Sequence, residues 1–158
     1  MKLPAEIIKV GQEPAVLAAL DADSYKISSD PESLIPSFEI NPDLRKNIFY
    51  AKSLGEIVIS YESIEKELAA ERKGLQHVNN TSNRISRLLF VTNDGSPRFY
   101  RELTYLQHKE GGRILICRLN ITSFEMGKIL VMPGTPVKAV LINRKRSVVN
   151  VLKTLIDL

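Results

Sequence analysis

Three short stretches of this chain are apolar at nearly every position: Arg87 to Thr92 (RLLFVT), Arg113 to Leu119 (RILICRL) and Val137 to Ile142 (VKAVLI). A strand with one wetted face alternates apolar and polar side chains, so unbroken runs predict strands covered on both faces. Helical signals fill the gaps between them. Ser96 and Pro97 open one helix, carried by Phe99, Leu103 and Leu106 and ended by Gly111 and Gly112. Thr122 and Glu125 have the capping-box spacing ahead of Met126, Ile129 and Leu130. Ser147 is placed to cap a last helix, with Val148, Val151, Leu152 and Leu155 on its inner face. Strands of this kind need a helix layer on each side of their sheet.

The same alternation extends upstream. Asn41 and Pro42 form a helix start, and Leu44, Ile48 and Ala51 share one helical face that ends at Gly55. Glu56 to Ile59 (EIVI) reads as a strand. Ser60 is expected to cap a second helix, with Glu62 in its first turn, Ile64 and Leu68 inside and Gly74 as its stop. The pattern predicts an α/β fold: a three-layer α-β-α sandwich around a mixed, mostly four-stranded sheet, covering residues 41–158. Residues 1–40 read as an N-terminal extension. In it Ile7, Ile8 and Val10 suggest a short strand, Glu13 to Leu20 a helix with Pro14 in its first turn, and Ser28 to Pro36 a loop. Leu75 to Ser86 reads as a polar loop, and Asn93 to Ser96 as a strand-to-helix turn.

Charge divides along the same boundary. Met1 to Asp43 holds 3 basic and 8 acidic residues, a net −5, whereas Leu44 to Leu158 carries +9. An acidic extension on a basic body fits a polyanionic partner. Catalytic signatures are missing. His77 and His108 have no ligand at helical spacing and read as surface imidazoles, and Cys117 sits inside an apolar strand as a small buried hydrophobe. Neither GxGxxG nor a P-loop occurs, so no cofactor, metal or enzyme activity is expected. A single cysteine excludes an intrachain disulfide, and no apolar run approaches the roughly 18 residues that cross a bilayer. With no signal-like N-terminus, a cytoplasmic protein without membrane contact is expected. Basic residues gather at Arg45, Lys46 and Lys52, and again at Arg144, Lys145 and Arg146. The second group stands where a helix begins, against the dipole, which favours a functional reason for it.

Four stretches, in order, resemble the kink-turn RNA-binding ribosomal protein superfamily, the L-seven-Ae and L-thirty-e group. Ala51 to Leu68 (AKSLGEIVISYESIEKEL) resembles its helix, glycine, short strand and second helix. Leu88 to Ser96 (LLFVTNDGS) is similar to its central strand and turn. Ser123 to Lys128 (SFEMGK) is similar to its Ser-x-x-Glu-Leu-Gly helix start with Met126 for leucine, and Pro136 to Ile142 (PVKAVLI) to its last strand. The resemblance implies binding of structured RNA, within a ribonucleoprotein that supplies further subunits. It places RNA contacts at Ser60, Tyr61 and Glu62, with Lys52 and Lys66 near, and at Val131, Met132, Pro133 and Gly134. Where the kink-turn binders carry Gly-x-Asn-Glu, this chain has Ile59, Ser60, Tyr61 and Glu62. The alternative is a protein–protein interaction module on the same fold that has lost RNA binding.

Overall fold

The computed structural model describes residues 1–29, 33–77 and 83–157. In chain order the elements are α1 (Ala5–Lys9), α2 (Glu13–Asp21), β1 (Ser24–Lys26), β2 (Leu34–Phe38), α3 (Pro42–Ser53), β3 (Ile57–Ile59), α4 (Tyr61–Leu75), β4 (Arg87–Val91), α5 (Pro97–Glu110), β5 (Ile114–Leu119), α6 (Ser123–Ile129), β6 (Ala139–Ile142) and α7 (Lys145–Thr154). From α3 onward the order matches the expected alternation of helix and strand.

The three apolar runs form the centre of the sheet. β4 lies between β5, its parallel neighbour, and β6, its antiparallel one, and β3 closes that side against β6. Their side chains alternate between two buried layers. Leu88, Phe90, Leu115, Cys117, Val140 and Ile142 face the helices α3, α6 and α7. Leu89, Val91, Ile116 and Leu141 face α4 and α5. The α-β-α sandwich follows, because a strand buried on both faces needs a helix layer on each.

The sheet has six strands, not four. β1 and β2 add to it from the N-terminal segment, β2 running parallel to β5 through Ser37–Arg118 and Phe38–Leu119. Two readings of that segment change. Residues 5–9 are helical: Leu3 and Ile7 stand one turn apart and both are fully buried, so the segment buries one helical face. The stretch from Leu34 is a strand despite Pro36, which pairs with Ser24 beyond the two positions where β2 meets β5. Leu3, Ile7, Val16 and Leu20 share one core with Leu152 and Leu155 of the chain's far end. The segment therefore packs on the body. Of the polar stretch between α4 and β4, residues 78–82, with Asn79 and Asn80, lie outside the described residues. α4 itself runs one residue past Gly74.

Capping was largely legible. Asn41 accepts from the Leu44 amide at 2.7 Å, Ser96 from Phe99 at 3.1 Å, and Thr122 and Glu125 form a reciprocal box. Ser147 is an exception, as is Ser60: α7 begins at Lys145, and the Ser147 hydroxyl donates to the Glu56 carboxylate at 2.7 Å instead.

Candidate nucleic-acid interface

The β3–α4 junction is built around Ser60. Its backbone has φ 72° and ψ 122°, a region that non-glycine residues seldom adopt. The expected hydroxyl cap is not made. A capping side chain needs an extended backbone to reach back over the first-turn amides, and the left-handed conformation denies that geometry. The first turn of α4 is thus left without a side-chain cap, with its amide dipoles facing outward. Beside it, the Tyr61 ring meets Phe99 of α5 edge-on, with centroids 5.3 Å apart at 77°. Burial, then the Glu65 and Glu102 charges, pushes the Tyr61 hydroxyl well above the usual tyrosine range, so it stays a neutral donor. Glu62 and Lys66 pair across one exposed turn at 3.4 Å, a link that contributes little.

The second segment, Val131 to Gly134, is held tightly. The amides of Val131 and Met132 donate to Lys128 and Gly127 at 3.0 and 2.7 Å, and Val137 donates to Ser123 at 2.9 Å. These bonds fold residues 131–136 back over α6. Gly127 makes the approach possible: a Cβ there would lie 2.1 Å from the Thr135 carbonyl oxygen. Lys52 reaches across from α3 and donates to the Leu130 carbonyl at the end of α6. Its ammonium therefore positions the loop. The N-terminus of α6 is held in turn by Asp94, which accepts from the Ser123 amide at 3.1 Å, its hydroxyl at 2.8 Å and Thr92 at 2.7 Å. Burial opposes the Asp94 charge, but these bonds together outweigh it and lower its pKa. With its φ of 57°, Val131 is the second non-glycine residue in the left-handed region among the described residues, and it is 64% exposed.

The two nominated segments do not touch through the nominated residues alone. A cleft of about 360 Å³ is lined by Ser60, Tyr61 and Phe99 on one side and, on the other, by Thr135, Pro136 and Lys138, which follow the second segment; Val131 to Gly134 do not line it. Phe99, Pro136 and Lys138 escaped the sequence reading. Phe99 reads as core by its helical spacing, Lys138 as part of the strand from Val137 to Ile142, and Pro136 as the residue that leads into it. Only the antiparallel pairing of Ile59 with Val140 brings them opposite Ser60.

The Arg144–Lys145–Arg146 run lies elsewhere. Ile57 pairs with Ile142 and Ile59 with Val140, so this run and Ser60 stand at opposite ends of the β3–β6 pair. Its charges have partners. Arg146 donates to both oxygens of the buried Glu56 at 3.0 and 2.7 Å, Lys145 meets Glu6 at 3.3 Å, and Arg144 donates to the Asn143 carbonyl. The bonds from Arg146 and Ser147 hold the Glu56 carboxyl below its ordinary range. This gives the cations at the start of α7 a structural reason, because Glu56 offsets their conflict with the dipole. Elsewhere, His77 and His108 are exposed, and burial pushes the thiol of Cys117 up, away from nucleophilic use. Among the described residues there is no cluster of metal-binding side chains and no helix long and apolar enough to cross a membrane.

No protein-family model and no curated protein matches the chain. Solved structures do share its fold. One is the Giardia lamblia 15.5kD RNA binding protein, with 13% identity over 75% of this chain and 88% of that one, at a TM-score of 0.50. Another is a protein of unknown function from Bacillus halodurans, with 11% identity over 75% of this chain and all of that one, at 0.52. At these identities the likeness concerns the fold.

Proposed function

We propose that this chain is a non-catalytic protein that binds structured RNA on the surface made by Ser60, Tyr61 and residues 131–138, in the manner of a ribonucleoprotein subunit. One observation carries the reading. The non-glycine residues with left-handed backbone among those described, Ser60 and Val131, fall one in each segment that the sequence nominated for RNA. Such conformations cost roughly 1–3 kcal/mol each and persist where a site needs them. Neither residue is buried, so neither conformation serves the core. The chemistry suits unstacked RNA. The uncapped start of α4 offers amide donors to phosphate or base acceptors. Val131, Met132 and Pro133 offer apolar contact, and Tyr61 with Pro136 gives a cleft against which a splayed base can pack. Lys128 and Lys138 are exposed and can meet phosphates, as can Lys66 in exchange for its weak exposed pair with Glu62. The name of the Giardia neighbour supports the same reading.

The test is binding to structured RNA across a salt series, with heparin as the control polyanion. Retention of an RNA as salt rises, with about tenfold weakening in Tyr61→Ala, is the expected result. Affinity that collapses equally for RNA and heparin, or no binding at low salt, overturns the reading.

A further inference from the structure

The layer of α4 and α5 carries a second cleft, on the other side of the Tyr61 ring. Its volume is about 260 Å³, and Tyr61, Glu65, Glu102, Tyr105, Leu106 and Lys109 line it. Two walls are aromatic. Tyr61 is fixed against Phe99, while Tyr105 is 65% exposed on a helix whose inner face is already filled by Phe99, Leu103 and Leu106. Two carboxylates stand in the same space. Glu65 has no ion pair among the described residues, and Glu102 has only a 3.6 Å contact to the outward-pointing Arg98. Lys109 lies two turns along α5 from Glu102, at the far end. With two carboxylates against the single Lys109, the lining of this cleft is net acidic. Phosphate is repelled here, and the cleft is no extension of the proposed RNA surface.

We propose that this cleft receives an arginine side chain from a partner protein. A guanidinium is the group that uses every wall at once. Its planar face stacks on tyrosine, its fork of N–H donors meets the two carboxylates, and its methylenes lie along Leu106. A lysine ammonium has no planar face and no fork, so it uses the carboxylates alone. The room suits one long side chain and not a helix, so the partner presents the arginine from an extended or looped segment. This inference stands independently of RNA binding. Tyr61 forms a wall of both clefts, so the two ligands would rest on one ring.

The full chain is titrated by calorimetry with a peptide of Arg-Gly-Gly repeats, then with the same peptide carrying lysine or citrulline in place of arginine. Tyrosine ring resonances are followed by NMR. Expected is affinity for the arginine peptide at least about tenfold above that for the lysine peptide, no binding of the citrulline peptide, and shifts confined to Tyr61 and Tyr105. Glu65→Gln with Glu102→Gln should weaken binding about tenfold or more. Asp21→Asn with Asp43→Asn makes the same charge change on the opposite helix layer, and should alter it by no more than about twofold. Tyr105→Ala, exposed and outside the RNA surface, should weaken it without affecting folding or RNA binding. Equal affinity for arginine and lysine peptides, equal loss from both carboxylate pairs, RNA crosslinked at Tyr105, or self-association through this cleft in place of peptide binding would each overturn the proposal. Failure here with RNA retained at Tyr61 leaves the RNA reading standing, and the converse holds.

Discussion

Gly127 and Val131 are four residues apart and illustrate opposite uses of backbone freedom. In an ordinary helix, replacing glycine by alanine is favourable by about 1 kcal/mol. At Gly127 the sign reverses, because the new methyl would stand 2.1 Å from the Thr135 carbonyl and 3.1 Å from that of Met132. Both contacts are with backbone, so the loop must lift. Gly127→Ala is expected to destabilise by about 1–3 kcal/mol in urea unfolding and to weaken RNA binding as well. Val131→Asn is expected to do the reverse for stability. Asparagine tolerates the left-handed region far better than a β-branched residue, so a gain of about 0.5–1 kcal/mol should accompany a loss of RNA affinity. A variant that gained stability and kept full RNA affinity would remove Val131 from the proposed contact. The sequence showed the glycine but not its reason, since the approach of residues 131–136 is a tertiary fact. Ser60 was legible as a helix start, but the backbone conformation that withholds its hydroxyl was not.

At the scale of elements, helix starts were legible wherever the side chain answers its own helix, as at Asn41, Ser96 and Thr122. They were misread where a side chain answers something distant, as Ser147 answers Glu56 from 91 residues away. Glu56 is only 5% exposed and ties the entry of β3 to the first turn of α7 through Arg146 and Ser147. Its folded pKa lies below the ordinary carboxylate value. The linkage follows directly: the unfolded chain binds this proton first, so the stabilisation is complete above the ordinary carboxylate pKa. It is lost as pH falls through the lower, folded value. Glu56→Gln is expected to lower stability at neutral pH and to make the acid limb less steep, measured as urea midpoints between about pH 2 and pH 7. An unchanged slope would mean that Glu56 titrates alike in both states. Glu110, buried between Arg72 and Arg113 on the α4–α5 side of the sheet, makes a second carboxylate–guanidinium clamp.

For the whole molecule, the boundary at residue 40 that charge and composition suggest is not a boundary in packing. The central strands were legible because burial on two faces leaves an unbroken apolar run. The outer pair was not, because β1 is three residues long and β2 carries a proline. Yet Leu3, Ile7, Val16, Leu20 and Ile35 are almost wholly buried, and β2 covers an edge of β5. Each such side chain contributes about 1.5–3 kcal/mol on burial. Five of them together are comparable to the whole net stability of an ordinary domain, about 5–15 kcal/mol. A chain beginning at Glu39 would also bare the β5 edge, an open row of hydrogen-bonding groups ready to pair with another molecule. That shortened chain is expected to lack a cooperative urea transition and to associate, as read by circular dichroism and light scattering. A monomer with a sharp transition would show instead that residues 41–158 form a self-sufficient domain. Of the extension's acidic residues, Glu39 accepts from Asn120, and Glu6 holds Lys145 at the end of the sheet remote from Ser60. In either case the acidic extension does not neutralise the proposed RNA surface through this pair, so RNA affinity in the full chain should be insensitive to Glu6→Gln.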